Sequence, residues 1–163
     1  MRRAAKLASP RSPSTCPPKK MPDIVHDFPI KAPPSRVFAA ITTPADLDEW
    51  WTRRSSGEPK KRAAYELWFG EKFEWRARVT KCVADREFEL DMTRASPDWL
   101  GTKVGFRLTP SEDGTAVQFY HSGWRQANEH MRTSSFCWAM YLRILKRFLE
   151  HGEIVPYERR LHV

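Results

Sequence analysis

The chain has 163 residues, a length that predicts one domain large enough to bury a sizeable hydrophobic core. Its formal net charge is +8, but residues 1–22 hold six basic and no acidic side chains, which leaves 22 basic against 20 acidic side chains in the rest. This near-neutral balance argues against a nucleic-acid-binding domain, which needs a clustered basic stripe. No apolar run approaches the length of about 18 residues that a membrane helix requires.

The three cysteines, Cys16, Cys82 and Cys137, are odd in number and lack CxxC spacing. We therefore expect free thiols in a reducing cytosol, rather than a disulfide framework or a zinc site, and a cytoplasmic protein. Cys137 is expected to be packed on the flank of a helix. No glycine-rich loop leads from a strand into a helix, so no cofactor is expected.

Residues 1–22 are rich in proline, serine, arginine and lysine and are predicted to be a disordered basic tail. This tail either contacts an acidic surface or nucleic acid, or is a dispensable extension. Met21 is an alternative start, because the foldable sequence begins beside it. The predicted domain covers residues 23–155, and residues 156–163 form a carboxyl-terminal extension.

Two short helices are predicted after a first strand at residues 23–30. The first helix begins at a proline pair and ends near Thr42. The second helix has Thr43 as a capping-box residue, followed by a proline at the first helical position. It ends in Trp50 and Trp51, and either both rings seal the core or at least one lines the mouth of a pocket.

Between residues 63 and 121, apolar side chains alternate with polar ones, which predicts antiparallel strands with one buried and one charged face. Turns are expected at residues 70–71, 84–85 and 110–114. The outward face is expected to carry ordinary surface charges, namely Glu74, Glu87, Glu89 and Asp91.

A long amphipathic helix is predicted at residues 126–150, with Gly152 as its stop signal. From Trp138 onward its apolar stripe is bulky and should fill the space against the sheet. The amino-terminal half of the stripe instead presents His130 and Ser134, which are smaller or polar. We therefore expect any cavity to open beneath the amino-terminal half of this helix.

Three segments resemble a known family: residues 30–51 (IKAPPSRVFAAITTPADLDEWW), 101–124 (GTKVGFRLTPSEDGTAVQFYHSGW) and 138–152 (WAMYLRILKRFLEHG). In this order they are similar to the Hsp90-ATPase-activator-homologue branch of the START/polyketide-cyclase-like (SRPBCC) superfamily. The resemblance extends over residues 24–155. It implies an α+β helix-grip fold, START-like and Bet v 1-like, in which a curved antiparallel sheet wraps around the long carboxyl-terminal helix.

The sequence departs from this family at two points. The glycine pair that often opens the second hairpin is replaced by Ala63 and Ala64. A chain of 163 residues also leaves no room for the additional amino-terminal domain of the Hsp90 co-chaperones. We therefore do not expect an Hsp90-type chaperone among the partners.

The resemblance implies binding of a hydrophobic small molecule. Our first hypothesis is a binding module that holds a small hydrophobic or aromatic ligand between the sheet and the long helix, in a cavity of at least about 300 Å³. The alternatives are an enzyme of the cyclase or hydrolase type that acts on such a ligand, and a protein-interaction module of the co-chaperone type. Because fold alone does not define function, these alternatives depend on the site.

Strand parity places His121 inward, either as an acid or base for catalysis or as a neutral histidine bonded to a neighbour. Tyr65 and Tyr141 either hydrogen-bond a ligand or are core aromatics with satisfied hydroxyls. His121 and His130 alone make a poor metal site, so no metal is expected. The predicted ligand contacts are Trp50, Trp51, Tyr65, Phe69, Phe106, Phe119, His121, His130, Ser134, Trp138 and Tyr141.

Overall fold

The structure is a computed structural model that describes residues 22–162. The predictions for the amino-terminal tail, for the Met21 start and for Cys16 lie outside these residues. None of the helices within the described part of the chain combines the length and the hydropathy of a membrane span.

Within residues 22–162, seven antiparallel strands form one curved sheet in the order β1-β7-β6-β5-β4-β3-β2. The strands are β1 (Ile24–Ile30), β2 (Arg54–Ser56), β3 (Ala64–Trp68), β4 (Glu74–Val83), β5 (Glu87–Arg94), β6 (Lys103–Ser111) and β7 (Gly114–Ser122). The register of β4 against β5 shifts twice, and such irregularities bend a strand and increase its twist. The bend gives the sheet a concave and a convex face. The predicted alternation of buried and exposed side chains holds along β3, but β5, β6 and β7 each contain three consecutive buried residues, centred on Glu89, Gly105 and Tyr120.

The turn between β6 and β7 is shorter than the predicted turn at residues 110–114, because both strands continue to Ser111 and Gly114. β6 can include Pro110 because its pairing with β5 ends at Arg107, so no strand on that side needs the missing N–H. A Cβ atom on Gly114 would lie 2.3 Å from the carbonyl oxygen of Ile30. Only glycine therefore allows this turn to pack against the end of β1.

Two short helices, α1 (Pro34–Thr42) and α2 (Pro44–Trp50), connect β1 to β2. The predicted capping box at Thr43 is wrong, because no side-chain hydrogen bond caps α2. The Thr43 hydroxyl instead donates to the carbonyl oxygen of Ala39 in the preceding helix over 2.8 Å. The carboxylate of Asp46 accepts from Arg36 over 2.6 Å and so also bonds back to α1.

The long helix α3 (Glu129–His151) lies across the concave face, and a 3-10 helix (Tyr157–His162) follows it. It begins three residues later than predicted, because Asn128 caps it: the Asn128 side chain accepts from the backbone N–H of Met131 over 2.9 Å. Gly152 ends it in the left-handed conformation at φ 64°, as the sequence predicts. The order of one strand, two short helices, six further strands and one long helix confirms the helix-grip fold.

The convex face contains one carboxylate that is not an ordinary surface charge. Glu89 is 3% exposed, which corrects the expectation from strand parity. Its carboxylate accepts hydrogen bonds from the hydroxyls of Tyr120 over 2.6 Å and Thr80 over 2.7 Å. Burial opposes ionisation, but these hydrogen bonds and the nearby charges of Lys81 and Lys103 lower the pKa of the Glu89 carboxyl.

Candidate ligand-binding cavity

A cavity of about 210 Å³ lies where the sequence predicts one, beneath the amino-terminal half of α3. The opposite walls come from the end of α2, the β3–β4 hairpin and the loop before β6. The lining residues are Trp51, Phe69, Trp75, Trp99, His130, Thr133, Ser134, Cys137, Trp138 and Tyr141. The cavity is smaller than the volume of at least about 300 Å³ that we expect for ligand binding, so it has room only for a compact ligand.

Five aromatic rings form a closed cycle around this cavity. The Trp138 ring centroid lies 5.1 Å from that of Trp51 and 5.8 Å from that of Trp99. The Phe69 centroid lies 5.6 Å from that of Trp51 and 5.1 Å from that of Trp75. A distance of 4.7 Å between Trp75 and Trp99 closes the cycle. All five separations suit favourable aromatic pairs, so each ring is held in place by two neighbours.

Tyr141 brings a polar group to this aromatic lining. Among residues 22–162 its hydroxyl makes no hydrogen bond, whereas the Ser134 hydroxyl accepts from Trp99 Nε1 over 3.2 Å. Burial, with the neighbouring Tyr157 and Cys137, raises the pKa of Tyr141 to about 12. The hydroxyl is therefore neutral at physiological pH and can donate a hydrogen bond to a ligand.

Burial also raises the pKa of the Cys137 thiol, which lines the same cavity as a free cysteine. A raised pKa keeps the sulfur in its thiol form, and the thiolate is the nucleophilic form. Cys137 therefore contributes an apolar, polarisable surface rather than a nucleophile.

His130 occupies the rim, where its Nδ1 lies 2.9 Å from a carboxylate oxygen of Asp98. The side chain of Asn128 donates to the same oxygen over 3.2 Å. The hydrogen bond from His130 is the main cause that lowers the pKa of the Asp98 carboxyl. This rim cluster joins the loop before β6 to the first turn of α3 and fixes one side of the cavity.

His121 lies in the core behind the aromatic wall and is 0% exposed. Its Nδ1 accepts from Trp138 Nε1 over 3.1 Å, so the ring proton is on Nε2, which donates to the hydroxyl of Thr102 over 2.8 Å. Burial lowers the pKa of His121 to about 3. Of the two alternatives for His121, the structure therefore contains the neutral histidine that is bonded to its neighbours. The buried imidazole does not reach the cavity to act as an acid or base.

The structure places six of the eleven predicted ligand contacts at the cavity: Trp51, Phe69, His130, Ser134, Trp138 and Tyr141. It places the other five in the closed core, which corrects their expected position: Trp50, Tyr65, Phe106, Phe119 and His121. Two of these five bond to the backbone of α1, since Trp50 Nε1 donates to the carbonyl oxygen of Ala40 and the Tyr65 hydroxyl to that of Thr42. They support the cavity wall from behind.

Four cavity residues were not on the predicted list: Trp75, Trp99, Thr133 and Cys137. The helical period could have indicated two of them, because Thr133 and Cys137 lie four residues apart along the flank of the stripe that contains Ser134 and Trp138. Strand parity could have indicated Trp75, which lies on the same face of β4 as the buried residues Ala77 and Val79. Trp99 lies in a loop without periodicity, so no sequence pattern could orient it.

Other depressions among the described residues are less suited to an apolar ligand. One of about 290 Å³ crosses β2, β3 and β4 and is lined by five charged side chains, which are Arg54, Glu66, Glu74, Arg76 and Arg94. Another of about 540 Å³ lies over β1, β6 and β7 and includes Asp27 and Arg107. Apolar pockets with few polar groups are typical of ligand sites, and the cavity beneath α3 fits that description.

A curved antiparallel sheet over one long helix, with an aromatic cavity between them, defines a protein of the helix-grip class. A family model described as "Activator of Hsp90 ATPase homolog 1-like protein" matches residues 31–150, and the chain belongs to this family. A comparison with curated proteins gives no match.

Solved structures agree with this assignment. The Aha1 dimer from Colwellia psychrerythraea is 31% identical, covers 82% of this chain and 99% of its own, and superposes with a TM-score of 0.75. MLL2253 from Mesorhizobium loti is 20% identical over 82% of this chain and 100% of its own, with a TM-score of 0.69. CalU16 from Micromonospora echinospora is 20% identical over 85% and 81%, with a TM-score of 0.63. The last two similarities show the fold.

Proposed function

We propose that this protein binds a compact, uncharged aromatic molecule in the cavity beneath the amino-terminal half of α3. The observation that carries the proposal is the closed cycle of five aromatic rings, beside which the Tyr141 hydroxyl makes no hydrogen bond to any of residues 22–162. The rings supply apolar and π surface, and the hydroxyl supplies one oriented hydrogen bond.

The charge of the lining supports an uncharged ligand. No lysine, arginine, aspartate or glutamate of the described residues lines the cavity. A charged ligand group would lose its hydration there without gaining an ion pair, and such desolvation is unfavourable. A cationic ligand would gain attraction to the ring faces, so it is the alternative that an experiment must separate.

Binding is a better proposal than catalysis, because the one residue proposed as an acid or base, His121, is sealed in the core. Residues 22–162 also contain no group of three metal-binding side chains. We further propose a cytoplasmic location, since Cys82 and Cys137 are free thiols. We do not propose association with an Hsp90 chaperone. A pull-down with purified Hsp90 would test whether such an association exists.

The direct test is titration with 2-naphthol, an uncharged bicyclic aromatic with one hydroxyl, followed through the indole N–H signals in two-dimensional NMR spectra. We expect saturable shifts for the four tryptophans of the cavity: Trp51, Trp75, Trp99 and Trp138. Trp68 is the matched control, because its ring lies under Arg54 outside the cavity and its signal should stay in place.

Two analogues test the ligand charge. Naphthalene-2-carboxylate and 2-naphthyltrimethylammonium carry a negative and a positive charge on the same ring system. We expect both to bind at least about tenfold more weakly than 2-naphthol, a difference of about 1.4 kcal/mol. Tighter binding of the ammonium compound would mean that the ligand is cationic rather than uncharged. If none of the three probes shifts the indole N–H signals of the cavity, the proposal is overturned.

A further inference from the structure

Arg160 is a buried arginine that bonds only to main-chain oxygens within the described residues. It is 3% exposed, and its guanidinium donates to the carbonyl oxygens of Val155 over 3.1 Å, Thr52 over 3.0 Å and Asp48 over 2.6 Å. No carboxylate within residues 22–162 forms a salt bridge with it. A buried charge without a partner is highly unfavourable, and these three hydrogen bonds are the partners of the guanidinium. Movement of the side chain would break them, so they fix its position.

Two of the three acceptors belong to the carboxyl end of α2, where Asp48 lies in the last turn and Thr52 just beyond it. The last carbonyl groups of a helix have no partner within the helix and carry the negative end of its dipole. Arg160 therefore caps α2 from a distance of more than 100 residues in the sequence.

Trp51 lies between the two capped positions. Its backbone N–H donates to Leu47 over 2.9 Å, and its ring belongs to the aromatic cycle, next to Trp138 and Phe69. A guanidinium that holds the backbone on both sides of Trp51 fixes the backbone position from which this ring projects. The contacts of Arg160 thus extend to the cavity through one intervening residue.

The same carboxyl-terminal segment makes a second contact with the cavity wall. The Tyr157 hydroxyl donates to the carbonyl oxygen of Phe69 over 3.0 Å, at the end of β3. Two guanidinium groups lie against the Tyr157 ring, those of Arg160 at 5.3 Å and Arg53 at 5.6 Å from its centroid. Two of the five rings of the cycle are therefore fixed from residues 155–162.

We propose that residues 155–162, the carboxyl-terminal strap, are part of the binding site, with Arg160 as a positioning residue that sets the shape of the aromatic cavity. The strap lies beyond residues 31–150, which the family model matches. The inference rests on the proposed ligand-binding function, and it makes ligand affinity depend on residues that do not line the cavity.

The test compares full-length protein with Arg160→Ala and Arg160→Lys. We expect Arg160→Ala to weaken 2-naphthol binding at least about tenfold and to accelerate hydrogen exchange at the amides of Trp51 and Thr52, which both donate to Leu47. Arg160→Lys should recover only part of the affinity, because one ammonium group cannot reproduce a fork that reaches three carbonyls.

Tyr120→Phe is the matched control, because it removes a buried hydrogen bond on the convex face, away from the cavity. Urea unfolding measures the stability that each variant loses. If Arg160→Ala weakens 2-naphthol binding no more than Tyr120→Phe does, the positioning role is wrong. Faster exchange at Trp51 and Thr52 in Arg160→Ala but not in Tyr120→Phe supports it.

Tyr157→Phe keeps the test decisive if Arg160→Ala does not fold, since it removes one hydroxyl from an otherwise intact strap. We expect it to weaken 2-naphthol binding about threefold to fivefold and to accelerate exchange at the Phe69 amide, which donates to Phe73. If none of the three naphthyl probes moves the cavity indole signals of the wild-type protein, the proposed function is overturned, while the exchange measurements still test the strap. Unchanged hydrogen exchange at the amides of Trp51, Thr52 and Phe69 in the variants would overturn the proposed positioning role of the strap.

Discussion

The indole N–H of Trp138 donates to Nδ1 of His121 over 3.1 Å, and this bond connects the cavity wall to the core. The other ring nitrogen bonds to the hydroxyl of Thr102, which in turn donates to the carbonyl oxygen of Trp99 over 2.6 Å. One neutral imidazole therefore holds two of the tryptophans that face the cavity. His121 has a structural role, and it acts on a ligand only through the rings that it positions.

This arrangement predicts a pH dependence of stability. Burial lowers the pKa of His121 to about 3 in the folded state, from 6.5 in the unfolded chain. Below pH 6.5 the unfolded state therefore binds a proton that the folded state does not. The free energy of unfolding should fall by about 1.4 kcal/mol for each pH unit below that value. Urea unfolding at a series of pH values measures this slope.

His121→Gln is the variant that checks its origin, because glutamine retains a donor and an acceptor but does not titrate. We expect it to lose about 1–2 kcal/mol above pH 7 through poorer hydrogen bonds. Its stability should then be flat down to about pH 4.5, where carboxyl groups begin to titrate. An unchanged slope in His121→Gln would show that other groups cause the pH dependence.

A second prediction concerns Gly105 on the convex face. Gly105 lies directly opposite Glu89 on one side and Tyr120 on the other, and the Tyr120 ring crosses it to reach the Glu89 carboxylate. A Cβ atom on Gly105 would lie 2.2 Å from Cζ of Tyr120. Gly105→Ala should therefore displace the ring and cost about 3 kcal/mol through overpacking and the lost hydrogen bond.

A double-mutant cycle separates these effects. Tyr120→Ala leaves space above residue 105, so adding Gly105→Ala to it should cost much less than Gly105→Ala alone. We expect a coupling energy of about 1–3 kcal/mol between the two sites in urea unfolding. Additive effects would mean that the glycine is needed for its backbone rather than for the space that it leaves to Tyr120.

The same residues show what strand parity can and cannot predict. Parity correctly assigned Phe119 and His121 to the concave face, but it gives no depth, and both lie behind the cavity instead of in it. It correctly placed Glu89 on the convex face, but it could not show that Gly105 lets Tyr120 cover it. How deeply a side chain is buried, and whether another side chain covers it, depend on the residues opposite it in the neighbouring strands. The register that brings those residues together is set by the whole sheet.

The environment of the long helix was more predictable, because the size and polarity of the residues along its apolar stripe indicate which part is packed and which part lies beside a cavity. The change from bulky to smaller residues toward its amino terminus placed the cavity at His130 and Ser134, and the structure has it there. The opposite wall could not be predicted as well. Trp99 comes from a loop, and the role of Arg160 depends on hydrogen bonds to backbone oxygens more than 100 residues away.

A third prediction concerns the hydroxyl of Tyr141. If it donates to the ligand, Tyr141→Phe should weaken 2-naphthol binding about fivefold, the value of one neutral hydrogen bond of about 1 kcal/mol. Naphthalene, which has no hydroxyl, should bind the variant as well as the wild type. Isothermal titration with both compounds measures the difference. An equal loss for both would show that the substitution changed the shape of the cavity rather than a hydrogen bond.

The last prediction fills the cavity from α3. Cys137 lines the cavity, while its neighbour Phe136 points away and is 78% exposed. Cys137→Phe adds a ring to a space of about 210 Å³, so it should reduce 2-naphthol affinity at least about tenfold. Because the added ring enters empty space, the free energy of unfolding should stay the same or rise. Titration and urea unfolding check the two effects.

Phe136→Ala is the control for this substitution, since it changes the adjacent residue on the exposed side of the same helix turn. It should alter neither 2-naphthol affinity nor, beyond about 0.5 kcal/mol, stability. Retained binding by Cys137→Phe would place the ligand elsewhere. Lost binding together with a large loss of stability would mean that the wall could not accept the ring. If Cys137→Phe loses 2-naphthol binding but keeps its free energy of unfolding, the ligand binds in this cavity. Damage to the fold would lower both quantities, whereas a ring that occupies the cavity lowers only the affinity.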